Sequence, residues 1–203
     1  MKIICIGKNY LSHIQEFAQQ PPKTPVFFFK PDSSILNRNR PFFLPDFSED
    51  IQYEVELLVR INKVGKYIQK KYAHTYYDEV GLGIDITARD LQRKCVAQGH
   101  PWEVAKGFDG SAVVSKFVKK ELFPDIHNIS FSLLLNNKCV QKGNSSEMLW
   151  GIDDIIVYVS RFVTFKTGDI IFTGTPAGVG TLHINDHLQG FIEDEKFLDF
   201  KIK

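Results

Sequence analysis

The sequence has few cysteines and no long apolar run, and both absences exclude classes of protein. Its three cysteines, Cys5, Cys95 and Cys139, are widely spaced and form no CxxC pair, so neither a disulfide framework nor a zinc ribbon is expected. No segment reaches the roughly 18 apolar residues of a membrane span. The apolar run near the N-terminus is too short for a signal-peptide core. We therefore expect a cytoplasmic protein with no membrane partner.

An excess of charge of one sign is also lacking. The chain has 25 basic and 24 acidic residues, and its formal net charge is +1. Because no basic stripe or tail stands out, we expect no nucleic-acid partner. The chain has 203 residues, of which 43% are hydrophobic, and this is enough to bury a core in one domain without a structural metal or disulfide.

Short apolar runs and alternating patterns predict a chain made mostly of strands. Helical spacing is confined to three segments, and Thr87 is the predicted N-cap of the second. The predicted strands cover residues 2–6, 26–30, 51–61, 80–86, 129–135, 138–142, 170–173 and short stretches of 188–202, and the predicted helices cover residues 8–18, 88–97 and 155–163. The pattern favours a strand-dominated α+β fold.

Two carboxylates lie close together in the alternating segment 51–61. Glu54 and Glu56 are two residues apart, so in a strand they share a face and their Cα atoms lie roughly 6–7 Å apart. Like charges at this spacing repel each other unless water or a cation screens them. The pair therefore fits either the solvated face of an amphipathic strand or part of a metal site.

A third carboxylate, Asp85, lies within the apolar run 80–86, where burying it without a partner is costly. Either backbone donors or an arginine satisfy it, or it joins Glu54 and Glu56 as a third ligand. Three carboxylates select a hard cation, so the second alternative predicts Mg²⁺ or Mn²⁺ before zinc.

Basic and amide side chains follow Asp85 along the chain. Arg89 and Gln92 are three residues apart, hence on one face of the predicted helix, where they would hold an anionic substrate beside the metal. Lys106 is a further candidate cation. Each of the three side chains also fits an ordinary solvated surface.

A possible general base lies near the N-terminus. His13 and Glu16 are three residues apart on the first predicted helix, close enough for the carboxylate to orient the imidazole. The alternative is an incidental surface pair. The glycine-rich segment 174–180 lacks the Lys-Ser/Thr of a P-loop, so it fits a tight turn or a backbone approach to a ligand.

Together these residues fall in motifs whose order resembles the fumarylacetoacetate hydrolase family, most closely its short acylpyruvase and oxaloacetate decarboxylase branch. The motifs span nearly the whole chain, and the specificity lies in their combination. They are residues 7–16 (GKNYLSHIQE), 29–31 (FKP), 53–57 (YEVEL), 85–92 (DITARDLQ), 101–102 (PW), 105–106 (AK) and 168–180 (GDIIFTGTPAGVG).

The resemblance implies a mixed β-roll with a few short helices, arranged as a single catalytic domain over residues 1–203. It implies a lid-like segment at about residues 8–25 and a homodimer. It further implies roles for nine residues. The metal, Mg²⁺ or Mn²⁺, would be held by Glu54, Glu56 and Asp85, the substrate by Arg89, Gln92 and Thr175, and the catalytic groups would be His13, Glu16 and Lys106.

For function, the resemblance implies metal-dependent C–C bond cleavage of a small 2-oxo acid through a metal-stabilised pyruvate enolate. The reaction would be acylpyruvate hydrolysis, oxaloacetate decarboxylation or both. Two alternatives within enzymes stay open, namely a 2-oxo acid isomerase or keto–enol tautomerase, and a hydrolase of a fumarylpyruvate-type ring-cleavage product. The alternative outside enzymes is a metal-binding, β-rich interaction module.

Overall fold

The computed structural model describes residues 1–37 and 39–203 and arranges them in three β-sheets with short helices between the strands. The strands are β1 (Ile3–Gly7), β2 (Val26–Lys30), β3 (Ile35–Asn37), β4 (Ile51–Tyr53), β5 (Val55–Ile61), β6 (Tyr77–Asp85), β7 (Thr87–Ala88), β8 (Ala112–Lys119), β9 (Ser130–Leu135), β10 (Lys138–Asn144), β11 (Ile170–Phe172), β12 (Gly180–Thr181), β13 (His187–Ile192) and β14 (Glu195–Lys201). The helices are α1 (Leu11–Glu16), α2 (Lys70–Ala73), α3 (Arg89–Gln98), α4 (Glu103–Lys106) and α5 (Ile152–Val159).

The largest sheet has seven strands in the order β2-β1-β11-β5-β6-β8-β3. It is mixed, because β1 with β11 and β3 with β8 run parallel while the other neighbours run antiparallel. Both of its faces are buried. In β1, Ile4 and Ile6 join the main core, whereas Ile3 and Cys5 join a second apolar cluster on the opposite face. Burial on both faces explains why these strands are nearly continuous apolar runs in the sequence.

A second sheet has four strands in the order β10-β9-β13-β14, and a third small sheet has the order β12-β4-β7. The predicted hairpin between β9 and β10 is confirmed. Its two turn residues, Asn136 and Asn137, have φ of 50° and 67°, which is the left-handed conformation that a two-residue hairpin turn requires and asparagine tolerates.

Several predicted boundaries are wrong, among them that of the third helix, which covers Ile152–Val159 and not 155–163. The segment 51–61 is not one strand, because the chain leaves the small sheet at Glu54 and enters the seven-stranded sheet as β5. Thr87 is not an N-cap, since it pairs with Gln52 in β7 and α3 begins two residues later. The first helix is shorter than predicted and covers only Leu11–Glu16.

The strand-dominated α+β fold with a curled mixed sheet and short helices is confirmed. Within residues 1–37 and 39–203, no helix has the length and apolar character needed to cross a lipid bilayer.

Candidate active site

The three predicted metal ligands meet where β5 and β6 pair. The antiparallel register places Val55 opposite Ile84, and the Asp85 amide donates to the Glu54 carbonyl oxygen over 2.8 Å. Glu54, Glu56 and Asp85 can each offer a carboxylate oxygen within 4.8 Å of the others, and all three residues are buried. The alternative of a solvated strand face is therefore wrong, because Glu54 and Glu56 are only 5% and 2% exposed.

Lys106 lies between two of these carboxylates. Its Nζ donates to Glu54 Oε2 over 2.7 Å and to Asp85 Oδ2 over 2.9 Å, and it also bonds to the Thr87 hydroxyl. Helix α4 holds this lysine with only 2% of its surface exposed, so the surface-lysine alternative is wrong. Burial alone lowers the pKa of Lys106, but Asp85 and Glu54 outweigh it and raise the pKa above its usual value.

Arg89 supplies a second cation from the start of α3. Its Nη2 bonds to Glu54 Oε1, its Nη1 bonds to Gln92 Oε1, and its Nε donates to Gln52 Oε1 over 2.8 Å. Burial alone would raise the pKa of Glu54, but Lys106 and Arg89 hold it well below its usual range.

Glu56 differs from its two neighbours. Among the residues that the structure describes, no cationic side chain lies within ion-pair distance of it, and its Oε2 accepts a 2.6 Å hydrogen bond from the Gly174 amide. Gly174 has φ of +103°, a conformation that suits glycine and aims this amide at the carboxylate. Burial, with Asp85 and Glu54 adding to it, raises the pKa of Glu56 well above its usual value.

These observations test whether a divalent cation fits the cluster, and it does. Asp85 Oδ1 is buried without a hydrogen-bond partner, although Lys30 Nζ lies 2.8 Å away outside hydrogen-bond geometry. Glu56 also has no ion-pair partner among the described residues. A donor set made only of carboxylate oxygens suits a hard cation, so the cluster could bind one metal ion of the Mg²⁺ or Mn²⁺ kind.

A cavity of about 400 Å³ opens above the cluster. Helix α1 covers part of it and brings in His13, whose Nδ1 lies 3.4 Å from Glu16 Oε2. Burial lowers the pKa of His13, and the Glu54 and Glu16 charges only partly offset this effect. Glu16 Oε1 also accepts a hydrogen bond of 3.1 Å from the Gly178 amide, which ties α1 to the glycine-rich segment.

The remaining predicted residues line the same cavity. Gln92 lies beside Arg89, and Thr175 is buried with its hydroxyl 2.9 Å from Gln141 Nε2. Gln141 lies on β10 and also accepts a hydrogen bond from the Val55 amide. The four-stranded sheet therefore fixes both the segment that contains Thr175 and the start of β5. The structure thus brings eight of the nine predicted site residues to the lining of one cavity, and the ninth, Glu16, contacts His13 there. Their roles stay predictions.

Sequence reasoning missed Lys30, the last residue of β2. Its side chain is fully buried, and its Nζ bonds to the Lys106 carbonyl oxygen, donates to the Ser111 carbonyl and hydroxyl oxygens over 3.1 Å each, and lies 2.8 Å from Asp85 Oδ1. A lysine that ends the apolar strand Val26–Lys30 is a signal for a buried cation. The sequence contained the residue in a motif but held no pattern that paired it with Asp85.

Comparison with known proteins matches this chain and its fold to one family. The family model "Fumarylacetoacetate (FAA) hydrolase C-terminal" matches residues 2–203. A bovine protein named oxaloacetate tautomerase FAHD1, mitochondrial, is 38% identical over 201 residues, covering 99% of this chain and 91% of that protein. A Dictyostelium discoideum protein named oxaloacetate decarboxylase, mitochondrial, is 38% identical over 180 residues, covering 88% of this chain and 83% of that protein.

A solved structure is similar over the whole chain. The crystal structure of fumarylpyruvate hydrolase from Pseudomonas aeruginosa, in complex with Mn²⁺ and pyruvate, superposes with a TM-score of 0.94 and 28% identity. The match covers 100% of this chain and 89% of that one. The single-domain boundary, the lid-like segment, the homodimer and the cytoplasmic location stay predictions for this chain, and the two named relatives are mitochondrial by their names.

Proposed function

The chain belongs to the fumarylacetoacetate hydrolase family, and we propose that this protein is a metal-dependent enzyme that breaks a bond at C3 of a small 2-oxo acid. Three reactions share this step. Oxaloacetate decarboxylation and acylpyruvate hydrolysis break the C3–C4 bond, and keto–enol tautomerisation breaks a C3–H bond. Each leaves an enolate whose negative charge lies largely on the 2-oxo oxygen.

The observation that carries the proposal is the buried cluster of Glu54, Glu56 and Asp85 at the floor of a cavity that also contains a histidine. A divalent cation held by these three residues supplies Lewis-acid stabilisation of the developing enolate charge. A structural metal site would not need an open cavity beside it, and a binding module would not need the buried Lys106.

Lys106 and Arg89 supply fixed positive charge at the floor of the cavity. Both are buried and held by several bonds within the protein, so their positive charge is fixed in place before the substrate arrives. We assign them the 1-carboxylate of the substrate and part of the enolate charge. Gln92 and Thr175 add neutral polar groups that orient the same end of the molecule.

His13 is the proposed base. Since burial lowers its pKa, its imidazole is neutral at pH 7 and able to accept a proton. In hydrolysis it takes a proton from water, the hydroxide adds to the C4 carbonyl, and the C3–C4 bond breaks to give a carboxylate and the pyruvate enolate. In tautomerisation it takes the proton from C3. In decarboxylation CO₂ leaves from C4 without a base, and the enolate is then protonated at C3.

The named relatives rank the substrates to be tested. The bovine tautomerase and the Dictyostelium decarboxylase support oxaloacetate as the first substrate. The Pseudomonas hydrolase supports hydrolysis of an acylpyruvate-type compound as the second candidate, and its Mn²⁺ supports the same class of metal.

The test is turnover of oxaloacetate and of a small panel of acylpyruvates by the purified protein with Mg²⁺ or Mn²⁺, with EDTA, and by a Glu54→Ala variant. Free divalent ions decarboxylate oxaloacetate unaided, so the variant at equal metal concentration is the decisive control. We expect metal-dependent turnover that Glu54→Ala abolishes together with metal binding. If the metal binds but no 2-oxo acid reacts in any assay, the enzyme proposal is wrong and a metal-binding module is favoured.

A further inference from the structure

Among the described residues that line the cavity, one cation has no carboxylate partner. Four basic residues line it, namely Lys8, Arg89, Arg93 and Lys106. Arg89 and Lys106 are paired with Glu54 and Asp85, as described above. Arg93 is mostly exposed and pairs with Asp50 over 2.9 Å.

Lys8 is the exception. Among residues 1–37 and 39–203, no carboxylate lies within 4.0 Å of its ammonium group, and it donates no side-chain hydrogen bond. The residue is only partly buried, and it lines the cavity. A half-buried cation that faces a cavity without a partner is available to an anion that enters the cavity.

The backbone around Lys8 is rigidly held in an unusual conformation. Its φ is +59°, a left-handed value that costs a non-glycine residue of order 1 kcal/mol. The next residue, Asn9, is fully buried and donates to the Thr173 and Trp150 carbonyl oxygens over 2.7 and 3.0 Å. Strain that the surroundings enforce in this way is typical of functional sites.

Lys8 lines the same cavity as the carboxylate cluster. Strand β1, which ends just before Lys8, is separated from β5 by β11 alone, so the two backbones lie about 10 Å apart. Arg89, Lys106 and Lys8 all line this cavity, so one short substrate can contact Lys8 while its 1-carboxylate rests at Arg89 and Lys106. A spacing of this order admits a substrate of four to six carbons.

We propose that Lys8 determines substrate specificity by binding the distal carboxylate of a 2-oxo dicarboxylate, so that the enzyme prefers dicarboxylic 2-oxo acids to analogues with an uncharged distal end. This inference rests on the proposed function, since it assigns the second half of the same site. It names the substrate class by chemistry, a 2-oxo acid with a second carboxylate two to four carbons beyond the keto carbon.

The experiment uses two matched substrate pairs that differ only in the distal charge. One pair is oxaloacetate and its 4-methyl ester, followed by enolisation at C3. The other is a 2,4-dioxo acid that ends in a carboxylate and its distal monomethyl ester, followed by hydrolysis. The ratio of kcat/KM for acid over ester is measured for the native protein and for Lys8→Met, Lys8→Asn and Lys8→Arg.

We expect Lys8→Met to lower kcat/KM for the acid by about 10- to 100-fold, mainly through KM, because one charge-assisted hydrogen bond is lost. The ester should change little, and Lys8→Arg should keep the preference for the acid. Lys8→Asn guards against misfolding, because asparagine tolerates positive φ, and it should lose the preference as Lys8→Met does.

Two controls separate a direct contact from a general field effect. Lys94→Met removes an exposed charge from α3 outside the cavity, and it should leave the acid-to-ester ratio unchanged. Arg93→Met removes the cavity cation that Asp50 already neutralises, and it should alter the ratio far less than Lys8→Met.

An unchanged ratio in both neutral Lys8 variants overturns the inference while the proposed function stands. A ratio that falls equally in Lys94→Met or Arg93→Met also overturns it. If the native protein turns over neither pair in the presence of metal, the proposed function fails, and the inference fails with it.

Discussion

The carboxylate cluster and helix α1 contribute to one cavity, but they are built in different ways. Glu54, Glu56 and Asp85 lie at the ends of central strands, are buried, and are surrounded by charges that several bonds hold in place. His13 and Glu16 lie on a helix of six residues whose N-cap makes no side-chain hydrogen bond. Their mutual contact is 3.4 Å long, and both side chains are partly exposed.

This difference separates two tasks. A site that stabilises charge works best when its dipoles and charges are fixed before the substrate arrives. A base that must approach the reacting atom and release a product is better placed on a segment that can move. The contrast predicts that variants in the cluster affect the fold and activity together, whereas variants in α1 affect activity alone.

The largest expected effect on stability comes from Lys30, the buried lysine beside Asp85. Lys30→Met leaves Asp85 with one cation fewer in a buried site, so we expect the free energy of unfolding of the metal-free protein to fall by about 3 kcal/mol or more. Urea denaturation in EDTA measures this, with Lys23→Met in the exposed loop before β2 as the matched control. A loss under about 1 kcal/mol in Lys30→Met would show that the cluster is not held by this lysine.

A smaller effect on stability is expected from His13→Ala, because it removes the base and leaves the cluster intact. Hydrolysis and enolisation should fall by about 10²- to 10⁴-fold, oxaloacetate decarboxylation should fall far less, and the urea midpoint should stay close to that of the native protein. The three rates are measured on one preparation. Equal losses of hydrolysis and decarboxylation would contradict the assignment of His13 as the base.

The smallest effect is expected from Glu16→Gln, and it appears in the pH profile. Since burial lowers the pKa of His13, the acid limb of hydrolysis should lie below the ordinary histidine value of about 6.5. Glu16 raises this pKa, so removing its charge should move the limb further toward acid, with about a tenfold loss of rate or less. If the acid limb moves to higher pH in Glu16→Gln, a group other than His13 is responsible for it.

The elements that the sequence predicts best are those whose pattern follows from local packing. The apolar run at the N-terminus, the hairpin at Asn136-Asn137 and the helix that contains Arg89 are all found in the structure. The break of segment 51–61 at Glu54 could not be read from its alternation, because that pattern continues through the break while the strand changes its sheet partners.

The sequence also predicts some features of the candidate site and not others. The chemistry of the residues, three carboxylates with a nearby histidine and cations, is a property of the sequence and of its motifs. Their burial is not, since the alternation at Glu54 and Glu56 fits a solvated face equally well. Lys106 fits a surface position by sequence alone, and its contacts with Glu54 and Asp85 depend on residues that are distant along the chain.

The sequence by itself therefore determined the strand-dominated fold class, the family and the types of group available for chemistry, because local patterns and ordered motifs record these. The tertiary structure alone decided which charges neutralise one another. Lys30 meets Asp85 across 55 residues of chain, and Lys8 is left without a carboxylate partner among the described residues. Pairing of buried charges depends on distances of a few ångströms between strands, and such distances exist only once the sheets have formed.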